Sequence, residues 1–195
     1  MKPVSKMPAS KVELGEMPPP SNLQPMKVSA DPTNPYLGLF KVLGDRLTVA
    51  VQPKSRNTAL KVYSLESIPD TGALVSVRII KLKHGAFAMG VVDKAEKRGK
   101  FRSPYLIGFA PGQLKFSADP RVAETQWTRV NNKMPINWNG CVVSMGVDMQ
   151  KRVIHFYLDG KVYAYSPITD HLMKKELVLY IGCMHLGDCF ALNAQ

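Results

Sequence analysis

From Tyr36 onward the chain is a succession of short apolar runs broken by Gly, Asp, Asn and Pro. In the run 46–52, Leu47, Val49 and Val51 alternate with polar neighbours, the period-two pattern of a half-buried strand. The run 39–43 precedes it across Gly44-Asp45, and two such runs around a Gly-Asp pair predict a β-hairpin. Residues 74–82 are rich in β-branched side chains (Val75, Val77, Ile79, Ile80), which favours a strand over a helix. The series continues at 60–65, 86–92, 105–109, 113–116, 141–147, 153–158, 162–165, 177–182 and 190–192. No 3.6-residue periodicity persists beyond a turn or two, so helix is a minor component. About a dozen short strands separated by turn residues predict an all-β sandwich or barrel.

Residues 1–35 follow another pattern. They hold 8 of the 15 prolines and no aromatic residue, whereas every Phe, Trp and Tyr falls from Tyr36 onward. Proline lacks the ladder donor and pushes its predecessor toward extended geometry. Residues 1–35 are therefore expected as a proline-rich extended or disordered arm, and residues 36–195 as the β domain. Pro18-Pro19-Pro20 favours polyproline II, which acts either as a stiff linker or as a ligand for an aromatic groove.

The strand order and the turn residues carry a resemblance. Asn139-Gly140-Cys141-Val142-Val143-Ser144-Met145-Gly146-Val147-Asp148, then Val153-Ile154-His155-Phe156-Tyr157-Leu158-Asp159-Gly160-Lys161, resembles the G-D-V-V-G-V-x-x-D and I-x-F-x-x-N-G-K strands of the SPRY (B30.2) family. Gly72-Ala73-Leu74-Val75-Ser76-Val77-Arg78-Ile79 stands where that family has a glycine and a Y-W-E-V-x-I strand. Gly85-Ala86-Phe87-Ala88-Met89-Gly90-Val91-Val92 is similar to its x-x-x-x-I-G-V-A strand. Gly187-Asp188-Cys189-Phe190-Ala191-Leu192-Asn193 is similar to its closing G-D-x-V-x-x-N. The departures are Asn139-Gly140 for Gly-Asp, Asp159-Gly160 for Asn-Gly, and Ala73-Leu74 for an aromatic strand start. Asp-Gly keeps the hairpin chemistry, since both pairs tolerate positive φ. The resemblance runs over residues 39–193. It implies a concanavalin-like sandwich of two antiparallel sheets, used as a protein-interaction module that binds partner segments through loops at one end. It implies no common catalytic residue and no cofactor.

Charge sharpens the question of partner. The chain has 26 Lys plus Arg against 15 Asp plus Glu, a net +11, of which the arm carries only +1. Such a surplus attracts nucleic acid, anionic lipid or acidic protein; its plainer role is solubility. The densest stretch is Lys94, Lys97, Arg98, Lys100 and Arg102, five cations in nine residues between two predicted strands. Arg98 and Arg102 can grip a carboxylate or phosphate with two bonds each, while Asp93 and Glu96 offset part of the charge. Lys54, Arg56, Lys81, Lys83 and His84 would extend the patch if folding brought them near. Trp127, Arg129 and Trp138 lie on a long connection and are residue types that anchor interfaces, although tryptophan serves equally as core. The candidate partner-binding set is therefore Lys94, Lys97, Arg98, Lys100, Arg102, Trp127, Arg129 and Trp138.

Other chemistries find little support. Cys183 and His185 would share a strand face, but Gly187-Asp188 turns Cys189 away and the fourth ligand of a closed zinc site is missing. Ser144, His155 and Asp159 are present without a G-x-S-x-G elbow, and no phosphate-binding glycine loop occurs. No enzyme, metal or cofactor is expected. Three cysteines do not make a disulfide framework, no run approaches the ~20 apolar residues of a membrane span, and no secretory signal opens the chain. A reduced intracellular, cytoplasmic protein is the expectation. Its expected work is non-enzymatic scaffolding: the SPRY-like domain and the arm bind an acidic partner or a large assembly such as a filament. The alternatives are a basic nucleic-acid-binding protein, for example ribosome-associated, and a lectin-like carbohydrate binder. No nucleic-acid recognition motif is present, and the basic stretch contains no aromatic beyond Phe101.

Overall fold

A computed structural model describes residues 22–51, 60–83, 87–96, 105–110, 113–117, 137–168, 170–183 and 185–194 of the 195-residue chain. The Pro18-Pro19-Pro20 run lies outside these residues. Among the described residues twelve strands form: β1 (Phe40–Leu43), β2 (Arg46–Val49), β3 (Leu60–Ser67), β4 (Ala73–Lys81), β5 (Phe87–Asp93), β6 (Tyr105–Ala110), β7 (Gln113–Ser117), β8 (Val142–Asp148), β9 (Val153–Leu158), β10 (Lys161–Pro167), β11 (Leu177–Cys183) and β12 (Cys189–Leu192). Each grows from one of the apolar runs read from the sequence. A short α-helix, α1 (Asp170–Met173), precedes β11, and single 3₁₀ turns occur at Leu37–Leu39 and Lys94–Glu96. Among the described residues no helix is long and apolar enough to cross a membrane.

The strands make two antiparallel sheets. One holds seven strands in the order β1-β2-β12-β4-β8-β9-β10, and the other holds five in the order β3-β11-β5-β6-β7. Alternation decides which side chains turn inward. Leu47 and Val49 of β2, Val75, Val77 and Ile79 of β4, and Val143, Met145 and Val147 of β8 face the core. They meet Phe87, Met89 and Val91 of β5 and Leu177, Leu179 and Ile181 of β11. Phe190 of β12 joins the two layers. Its ring stands edge-on to Phe40 at 6.3 Å and to Phe87 of the opposite sheet at 6.2 Å, the favoured geometry for the aromatic quadrupole.

The turns follow their chemistry. Between β9 and β10 the two-residue loop Asp159-Gly160 has φ of 47° and 77°, the doubly positive pair that matches the twist of a hairpin. Gly44, between β1 and β2, has φ of 58°. β2 stops at Val49 although the alternation runs on to Val51. Val49 exchanges backbone bonds with Gly187 and Asp188, and the amides of Ala50 and Val51 both turn to the Leu39 carbonyl.

Part of the proline-rich segment is a strap. Residues 24–26 lie beside β4 at Leu74, where the Met26 amide donates to the Leu74 carbonyl and the Leu74 amide to Gln24, both within 2.9 Å. Asn193, just past β12, clamps the next turn of chain: its Oδ1 accepts the Val28 amide at 2.7 Å, and its Nδ2 donates to the Val28 carbonyl at 2.9 Å. Val28, 3 % exposed, sinks into the core. Residues 29–31 then pair with the free edge of β3 through Leu65 to Ser29 and Asp31 to Tyr63. The strap thus reaches both sheets and covers an edge that would otherwise invite another strand.

Candidate interaction surface

The described start of the cationic segment, at Lys94, is fixed to the end of β5. Asp93 closes β5 as a buried carboxylate: Oδ1 accepts the Ala95 amide at 3.0 Å, and Oδ2 meets Lys175 Nζ at 3.0 Å. The Lys94 amide donates to the Glu176 carbonyl at 2.8 Å, and the Lys94 ammonium pairs with the Glu176 carboxylate, which also accepts from Ser67 Oγ. The turn after β5 is thus tied at three points. Lys94, a candidate binding residue, therefore already has an acidic neighbour.

Beside this turn lies a cleft of about 390 Å³, lined by Tyr63, by the strap residues Asp31, Thr33, Asn34 and Pro35, and by Lys94 and Ala95. Its buried polar groups build the strap. Asp31 Oδ1 accepts both the amide and the hydroxyl of Thr33, an Asx turn, at 2.9 and 2.8 Å. Asn34 donates to the Lys61 carbonyl and accepts the Tyr36 amide, each at 2.9 Å. The sequence Asp31-Pro32-Thr33-Asn34-Pro35 carried that turn signal, but nothing local tells that it packs against β3.

Trp138 lies in the core, 2 % exposed, among the residues that join the sheets. Of the two roles tryptophan can play, the packed one is realised here, and its indole offers a partner no surface. Lys97, Arg98, Lys100, Arg102, Trp127 and Arg129 lie outside the described residues, as do Lys54, Arg56 and His84.

Burial is the main cause of the pKa shifts in four side chains. Burial, then the charge of Asp159 and its hydrogen bond, push the Cys141 thiol up, the reverse of an activated nucleophile. Burial raises the Tyr157 phenol and lowers the Lys61 ammonium. Tyr63 rises far above the phenol range through burial, with Tyr36 adding to it. Cys141 and Cys189 are free thiols, and the Sγ of Cys189 accepts Thr48 Oγ1 at 3.2 Å. Asp188, fully buried, is a structural carboxylate that accepts the amides of Lys83 and His185, both at 2.9 Å. Among the described residues no group of three His, Cys, Asp or Glu could hold a metal ion.

No family model matches the sequence, and no curated protein does either. Solved structures do resemble the fold. The crystal structure of the TRIM65 PSpry domain superposes with a TM-score of 0.64 at 12 % identity, over 88 % of this chain and 94 % of that one. A human SPRY domain gives 0.56 at 16 % identity, covering 80 % of this chain and 97 % of its own. The SPRY domain of human HERC1 gives 0.52 at 13 % identity, over 84 % and 96 %. Two antiparallel sheets in this order, shared with those domains over most of both chains, give this chain the SPRY fold.

Proposed function

We propose that the chain is a non-enzymatic interaction subunit of a reduced intracellular, cytoplasmic setting, whose SPRY-fold sandwich presents a cationic loop to an acidic protein surface. The observation that carries this reading is the loop root at Asp93 and Lys94. A segment with five cations in nine residues starts from a turn pinned by Lys175, Glu176 and Ser67. A rigid β scaffold carrying a charged loop is suited to recognition, because the scaffold bears the ordering cost before the partner arrives. In this reading Lys97, Arg98, Lys100 and Arg102 supply the charge, and Trp127 and Arg129 supply anchoring contacts. The thiols and carboxylates described above are held in structural roles, which accords with binding in place of catalysis.

The test is affinity capture with the full chain, with a chain lacking residues 1–21 but keeping the strap, and with a variant carrying Lys97→Glu, Arg98→Glu and Lys100→Glu. Nuclease-resistant capture of acidic proteins that the triple variant loses is the expected result. An unchanged partner list removes the loop from the interface. Partners that vanish on nuclease treatment replace this reading with nucleic-acid binding, whose affinity falls steeply with salt.

A further inference from the structure

The register of the seven-stranded sheet assembles a second basic surface from residues far apart in sequence. On its outer face, one row runs Lys41, Thr48, Cys189, Lys81 across β1, β2, β12 and β4. The next row runs Leu43, Arg46, Ala191, Arg78 across the same strands. Lys41, Arg46, Arg78 and Lys81 are all exposed. Neighbouring strands lie about 4.8 Å apart, so Arg46 and Arg78 stand about 10 Å apart across the small side chain of Ala191. On β1 and β2 the two rows are about 6.7 Å apart, one strand period, whereas on β4 a register shift between Cys189 and Phe190 sets Lys81 three residues, about 10 Å, from Arg78. The cations flank the short side chains of Thr48, Cys189 and Ala191.

Lys94, Arg152 and Lys175 each have an acidic partner, whereas Lys41, Arg46 and Lys81 form no ion pair among the described residues. Two carboxylates border the face. Asp45 sits in the hairpin turn, and Asp188 is buried with its oxygens on the Lys83 and His185 amides. We propose that this face binds an extended acidic peptide segment, its carboxylates at alternate positions reaching the Arg46–Arg78 row and the Lys41–Lys81 row. An extended strand projects every second side chain to one side at about 6.7 Å, the separation of the two rows on β1 and β2, and the flexible Lys81 side chain spans the longer step on β4. Arg46 can hold a carboxylate through two parallel bonds, while Arg78, one of whose nitrogens donates to the Gly140 carbonyl at 3.3 Å, adds a second positive charge. Leu43, 67 % exposed at the corner, offers an apolar contact beside the charge. The two rows contain no aromatic side chain on which a nucleobase would stack, which favours peptide over single-stranded nucleic acid. The inference rests on the reading of the chain as an acidic-protein binder but uses residues other than those of the loop.

The experiment measures fluorescence anisotropy of a labelled decapeptide alternating Glu and Thr against the full chain at physiological salt. Its controls are the same peptide with Gln for Glu and a labelled oligouridylate of equal charge. Expected are binding of the Glu peptide, at least tenfold loss on Arg46→Glu with Arg78→Glu, and retention by the Lys97, Arg98 and Lys100 reversal. Arg46→Gln with Arg78→Gln gives a smaller loss, and melting curves establish that each variant is folded. No binding by the unaltered chain, equal binding of the Gln peptide, or tighter binding of the oligouridylate overturns the proposal. So does loss on reversing the loop while the face variants bind normally, an outcome that leaves the loop-based function standing.

Discussion

Gly72 and Gly140 form a matched pair that separates backbone strain from collision. Their φ angles are 87° and 89°, a region that L side chains rarely adopt. A Cβ on Gly140 would meet nothing within 4 Å, whereas a Cβ on Gly72 would lie 2.2 Å from the Val147 carbonyl oxygen, against 3.4–4 Å for ordinary contact. That oxygen belongs to β8, whose Val147 pairs with Ala73 in the middle of the sheet, so it has little freedom to move. Alanine in the left-handed region costs about 1–2 kcal/mol at either site, partly offset by the lower entropy of the unfolded chain. The collision adds about 1–3 kcal/mol at Gly72 alone, as overpacking does in a filled core. Gly140→Ala should therefore cost about 1 kcal/mol and Gly72→Ala about 3–4 kcal/mol. For a domain of this size 1 kcal/mol lowers the melting temperature by roughly 2–4 °C, so Gly72→Ala should melt roughly 6–15 °C below the parent. Urea titration followed by far-ultraviolet circular dichroism measures both variants. Costs equal within about 0.5 kcal/mol would refute the close seating of the β4 turn against β8, since strain alone is common to the pair.

Other substitutions probe the strap, the core and the thiol. Asn193→Gly keeps the positive φ accessible but removes both amide bonds to Val28; it should cost about 2 kcal/mol and speed hydrogen exchange at Met26 and Asp31 while β5 and β11 stay protected. Unaltered exchange at those two amides would show that the clamp does not hold the strap. Trp138→Ala should destabilise by about 3–5 kcal/mol and Trp138→Phe by less, as read by denaturant midpoint; a cost near zero would remove Trp138 from the core. The Cys141 thiol is pushed up, so its thiolate fraction at neutral pH lies below that of a free cysteine and its alkylation accelerates only at higher pH. Asp159→Asn removes the charge that adds to this shift and should hasten alkylation at any fixed pH, followed by peptide mass spectrometry. Slower alkylation in that variant would reverse the assigned sign.

What could be read from the sequence follows from range of interaction. Leu47 and Val49, or Val75, Val77 and Ile79, announce strands because their alternation is local and their burial obeys it. Asp159-Gly160 announces its hairpin for the same reason, since the φ angles are a property of the two residues. The strap is opaque because its partners, Ser64, Leu74 and Asn193, are remote, and because its prolines speak only for extended chain. Trp138 carries the same composition signal whether it packs or projects, and only its neighbours decide. The cationic face is the most hidden of all. Arg46 and Arg78 come together only because β12 lies between their strands.

That placement of β12 also governs when the domain can exist during synthesis. The hairpin of β1 and β2 is made well before β12, yet among the described residues its other neighbour in the sheet comes from residues 189–192. Val28 waits across a sequence separation of 165 for its clamp. At about 5–20 residues per second, the nascent chain carries an open edge on β2 and another on β4 for many seconds before β12 can fill the gap. The seam between the β1–β2 hairpin and β4 thus closes only once residues 189–192 have been made. A ribosome paused before residue 189 would hold two unjoined half-sheets, the state in which a nascent-chain chaperone has most to shield.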